Sequence, residues 1–149
     1  MQKKKDTSPA RPSRSKPLPW PLPAKLPASF KAEIRNTTAG KSVTLTLEQA
    51  NTSLSRLRGL MFRKKPVSII FTFAWSDLHG IHSFFVSFPF DAVYLDEQGQ
   101  VIDVFEKVPP FTPYLSPRKP VRFLLEFPAG TARRINLKPN DFVNLYQCR

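Results

Sequence analysis

Four residues have the types and spacing that metal or acid–base chemistry uses: Asp77, His79, His82 and Asp91. Imidazole nitrogens and carboxylate oxygens bind zinc or iron when three or four converge. A carboxyl beside an imidazole in a half-buried pocket can also carry a proton. Convergence is the requirement, and a turn followed by a strand does not by itself aim His79 and His82 the same way. His79 is therefore read as a solvated turn residue and His82 as a partly buried ring bonded to backbone, with no metal. Asp91 follows Phe88, Pro89 and Phe90, where an ionised carboxylate without a partner is costly to bury. It is expected to take an arginine from residues 56–63 or backbone donors at a turn. The alternative is a pocket in which Met61, His82 and Asp91 meet to hold a small molecule or a metal, with chemistry as an option.

The second pattern is positive charge. Arg56, Arg58, Arg63, Lys64 and Lys65 place five cations in ten residues. One or two can oppose a helix dipole; the excess points to an acidic partner. Arg118, Lys119, Arg122, Arg133, Arg134 and Lys138 extend the same field, while Arg122 and Glu126 are expected to pair on a strand's solvent face. No GxSxG elbow occurs, and Cys148, at the chain end, lacks an oriented base, so a nucleophilic hydrolase is not supported. No Gly-rich phosphate loop or other cofactor signature occurs among the five glycines.

These residues belong to a chain of 149 with 23 Lys and Arg against 11 Asp and Glu, a net charge of +12. An apolar fraction of 41%, including 13 Phe, supplies a real core, and the length suits one domain. No run reaches the roughly 18 apolar residues that a membrane helix needs, so no transmembrane segment is expected. One cysteine excludes an intramolecular disulfide. With no apolar signal core in the leader, the expectation is a cytoplasmic protein.

The leader differs from the rest. Residues 1–30 hold seven of the 16 prolines and carry +6, from Lys3, Lys4, Lys5, Arg11, Arg14, Lys16 and Lys25 against Asp6. Proline fixes φ and turns its neighbour away from helix, so residues 1–28 are read as a disordered basic tail without regular structure. From residue 29 to 149 the pattern is one of short strands separated by turns. Lys31 to Arg35 and Ser42 to Leu47 form a hairpin. Thr52 or Ser53 caps a helix ending near Arg58, with Gly59 at its C-terminal stop. Apolar runs at 67–75 and 81–88 flank an SDLHG turn. Phe90 to Leu95 and Val101 to Phe105 make the clearest hairpin, with Gly99 free to take positive φ. Five prolines make residues 109–120 a surface loop. Val121 to Phe127 alternates, a short helix runs from Thr131 to Ile135, and the last strand spans Phe142 to Tyr146. The fold class is mainly β: a small closed or partly open barrel of about seven strands with two short helices.

The segment order resembles the domain of unknown function 192 family, small β-barrel proteins of bacteria and archaea. The likeness lies in residues 56–65, 69–73, 81–102 and 123–143, and includes Gly59-Leu60-Met61, Pro89-x-Asp91 and Pro128-Ala129-Gly130. Val67 and Ser68 replace the family's usual Gly-Met, and Asn140-Asp141 stands for its Gly-Asp. The resemblance implies a fold and brings no reaction, cofactor or catalytic residue.

The function read from the residues is a non-enzymatic binding module that contacts a polyanion, with RNA or a ribonucleoprotein favoured. Lys3, Lys4, Lys5, Arg11, Arg14, Arg56, Arg58, Arg63, Lys64 and Lys65 supply the cations. An acidic protein or anionic membrane surface is the other partner class such charge would serve.

Overall fold

The computed structural model describes residues 15–149. Eight strands form a single sheet: β1 (Ser15–Leu18), β2 (Ser29–Asn36), β3 (Lys41–Ala50), β4 (Ser68–Asp77), β5 (Phe90–Leu95), β6 (Val101–Val108), β7 (Val121–Pro128) and β8 (Val143–Cys148). Their order is β1-β8-β2-β3-β4-β7-β5-β6. All neighbours run antiparallel except β3 and β4, which are parallel. That parallel step needs a crossover, and helix α1 (Ser53–Arg58) lies within it. The edges β1 and β6 do not pair, so the barrel is partly open. It is nonetheless curled: the Val101 and Val143 amides donate to the Asp141 and Gly99 carbonyls, joining the β5–β6 turn to the start of β8.

Curling gives the sheet an inside and a covered outside. Ile34, Leu47, Ile70, Val93, Phe123, Leu125, Phe127 and Leu145 fill the inner core. Ile69, Phe71, Phe90, Ala92, Tyr94 and Leu124 form a second core, covered by Leu60 and Met61 just after α1 and by Val86 and Phe88 of the following loop. Strand β7 lies between β4 and β5 and so contributes to both cores, which explains its nearly continuous burial.

Several local expectations hold. Thr52 and Ser55 form a reciprocal capping box at the start of α1, and Gly59 ends the helix at φ 44°. Gly99 takes φ 79° beneath the Trp20 indole, where a β-carbon would not fit. The second helix, α2, spans Thr131–Arg134.

Two expectations fail. Residues 81–88 form no strand; Ile81 alone bridges to Leu115. Ser83 instead ties this loop down, its hydroxyl donating to the Pro109 carbonyl at 2.7 Å and accepting from the Thr112 amide at 2.6 Å. The described part of the leader is not without regular structure either. β1 pairs with β8, Leu18 and Leu22 enter the inner core, and the Trp20 indole donates to the Val143 carbonyl at 2.7 Å. Its ring packs 4.9 Å from that of Phe123. Proline did not prevent pairing because β1 is an edge strand, where a missing donor faces no partner. The leader cations Lys3, Lys4, Lys5, Arg11 and Arg14 lie outside the described residues.

Candidate functional site

The four residues singled out for metal or acid–base chemistry do not converge, although Asp77 and His79 are near neighbours. Among the described residues no group of three His, Cys, Asp or Glu side chains is placed to hold a metal ion. The His79 ring stacks on Phe73 at 3.9 Å and its Nε2 lies 2.8 Å from the Trp75 carbonyl, while the exposed Asp77 carboxylate accepts from the Leu78 amide. His82 is exposed rather than partly buried, and its Nδ1 accepts from the Phe84 amide at 3.2 Å.

Asp91 is fully buried. Its Oδ1 accepts from the Lys107 amide at 2.9 Å, and its Oδ2 from the Gly130 and Ala132 amides at 3.0 and 2.9 Å. Three backbone donors therefore satisfy it, from β6 and from the β7–α2 turn. No arginine from residues 56–63 reaches it, and it does not meet His82 or Met61 in a pocket.

His82 and Met61 do share a cavity of about 140 Å³, but with a different carboxyl. Arg56, Arg58, Phe71, Val86 and Phe90 also line it, and its acid is Glu126. Glu126 sits on β7 opposite Ile69 and Ala92. It is only 6% exposed, and its Oε2 has no hydrogen-bond partner among the described residues. The expected Arg122–Glu126 pair does not form. Arg122 donates to the Ala74 carbonyl at 2.8 Å and lies 4.0 Å from Glu97, because the supposed solvent face of β7 is covered by the second core. Burial pushes the Glu126 carboxyl up to about 8. It also raises the Tyr94 hydroxyl, with Glu126 adding to the effect; that hydroxyl is likewise without a partner. Gly59 lets the chain pass over this acid: a β-carbon there would stand 3.1 Å from the Phe71 ring and 3.8 Å from Glu126 Oε2.

Roomier concavities lie nearby. One of about 270 Å³ on the other side of α1 contains Glu48, but that acid is engaged by Arg63 through two bonds of 3.1 and 2.6 Å. Another, of about 430 Å³, is bounded by residues 43–45 and 128–134 and contains no acid.

The cations divide similarly. Arg63 belongs to Glu48, and Arg56 donates to the Asn51 and Thr72 carbonyls at 2.9 and 3.2 Å. Arg58, Lys64 and Lys65 are exposed, and among the described residues they have no ion pair. Arg118 lies 3.6 Å from Asp103.

Beside the three free cations is a feature the sequence reading missed. Of eight exposed large hydrophobic residues among those described, six lie on loops, Phe62, Leu78, Phe84, Phe85, Phe111 and Tyr114, and Trp75 stands near the end of β4. Phe62, 70% exposed, stacks on Phe85 at 5.0 Å. The Phe111 amide donates to the Ser83 carbonyl, and Tyr114 covers Gly80. Phe62, Phe85 and Phe111 each hold φ 60°, a costly conformation for a bulky side chain. The signal available beforehand was the Phe density itself, which reads equally well as core.

The comparisons with known proteins concern the fold and the family. The chain is 26% identical over 108 residues to a UPF0127 protein of Pyrococcus furiosus, covering 71% of this chain and 91% of that one. A Sinorhizobium meliloti structure, provisionally described as a transcription regulator, matches with a TM-score of 0.71 at 24% identity, over 78% of this chain and 92% of its own. A Novosphingobium aromaticivorans protein of unknown function also gives 0.71, at 23% identity, over 88% and 94%. Both structures bear on fold alone. No helix among the described residues is long and apolar enough to cross a membrane. Residues 34–145 match the DUF192 family of uncharacterised proteins, and the chain belongs to that family.

Proposed function

We propose that this domain is a binding module for single-stranded RNA, the polyanion that suits both its charge and its exposed rings. One observation carries the reading: the exposed Phe62 ring, stacked on that of Phe85, lies close in the chain to Lys64 and Lys65, which with Arg58 are exposed cations without an ion pair among the described residues. Single strands are held by cations that follow the phosphates and by rings on which bases stack, at about 1–3 kcal/mol per base. Stacking tolerates any base, so no base-reading motif is required. The leader's five cations from Lys3 to Arg14 add sequence-independent attraction.

Binding of a fluorescent oligouridine across roughly 50–300 mM salt tests this, because affinity should fall by about 0.7 log units per log unit of salt for each phosphate contacted. Lys64→Ala should lower that slope by about one contact. Phe62→Ala should weaken binding at every salt concentration. Affinity that is flat in salt, or binding to anionic lipid vesicles without binding to RNA, would overturn the proposal.

A further inference from the structure

The cavity under α1 ends on a carboxyl with an unbonded oxygen, an arrangement that costs free energy unless something binds it. Its walls are apolar where Phe71 and Phe90 stand, and the exposed residues Arg58 and His82 also line it, Arg58 bordering the neighbouring 270 Å³ concavity as well. With Nδ1 accepting from Phe84, a neutral His82 keeps its proton on Nε2, as a donor. We propose that this cavity binds a small carboxylate carrying a second polar group such as a hydroxyl, with the carboxylate at Arg58 and the hydroxyl at Glu126.

Size limits the ligand. About 140 Å³ is close to an engineered cavity of roughly 150 Å³ that accepts benzene, which leaves room for a body of a few carbons. Charge orients it, because the Arg58 guanidinium matches a carboxylate. A buried carboxyl below its raised titration point is protonated and can both donate to and accept from a hydroxyl. Arg58 is common to this site and to the proposed RNA surface, whereas Glu126 and the cavity walls belong to this site alone, so the Glu126 variants test it without bearing on RNA binding.

The probes are 4-hydroxybutyrate, butyrate and 1-butanol, titrated into the full chain and followed by amide chemical shifts. 4-Hydroxybutyrate is expected to bind more tightly than either comparator and to shift residues around Met61 and His82. Arg58→Ala should weaken it about tenfold, while Glu126→Leu should abolish its advantage over butyrate. Glu126→Gln, which keeps the shape and a hydrogen-bonding head, should retain part of that advantage. No binding by 4-hydroxybutyrate at millimolar concentration, or an advantage that survives in Glu126→Leu, would overturn the assignment.

Discussion

Two carboxyl groups are buried on adjacent strands of this sheet, and they live in opposite surroundings. Asp91 on β5 faces three backbone amides within 3.0 Å. Glu126 on β7, one register pair away from Asp91's own partner Phe127, has an oxygen that faces none. Burial is nearly the same; provision for charge is not. A satisfied acid fixes loops to a sheet, and an unsatisfied one at the end of a cavity is available to a ligand. The same division runs through the cations, where Arg63 is bound by Glu48 and Arg58 has no ion pair among the described residues.

The largest effect expected is from Asp91→Ala. It strands the buried amide of Ala132 and the partly buried amides of Lys107 and Gly130, at about 1–3 kcal/mol for each group left unsatisfied away from water, so urea denaturation should show a loss on the order of 4 kcal/mol. A loss below about 1 kcal/mol would erase the contrast with Glu126.

Next comes pH. The Glu126 carboxyl lies at about 8 when folded, against an ordinary 4.5. Below 4.5 it is protonated in both states. Between 4.5 and 8 the unfolded chain releases a proton that the folded chain keeps, so stability falls as pH rises and levels off above 8. The loss is on the order of 4 kcal/mol across that window. Arg56, Arg58, His82 and Tyr94 are the other titratable groups near this acid, so the comparison needs Glu126→Gln measured in parallel. That variant should lack the slope and be the more stable form at pH 8, as thermal unfolding at several pH values would show.

A smaller effect is expected from Gly59→Ala. It places a side chain at positive φ and crowds the Phe71 ring, for a cost of about 1–2 kcal/mol and a narrower cavity. Smallest is Tyr94→Phe. Its hydroxyl has no partner, so removing it should change stability by less than about 1 kcal/mol or raise it, in the same denaturation assay.

Local chemistry made much of this legible. The Thr52 cap, the Gly59 stop, the 90–105 hairpin with Gly99 and the need of Asp91 for donors each depend on a few neighbouring residues. Glu126 was misread for a physical reason. On β7 the spacing of Arg122, Leu124 and Glu126 has the period of a strand's wet face, and only the placement of β4 and β5 on either side, with Leu60 and Met61 above, makes that face a core. The 81–88 loop was missed because Phe84, Phe85 and Phe88 look like strand residues until Ser83 is seen tied to Pro109 and Thr112. Trp20 was missed because its partners, Phe123 and Val143, lie more than a hundred residues away.

The most direct test is a carboxyl-carbon NMR titration of the folded protein labelled at glutamate, with Glu126→Gln identifying the resonance. A midpoint near 8 is the predicted result. A midpoint close to 4.5 would mean that water or a partner reaches this carboxyl, and the contrast with Asp91 would be contradicted.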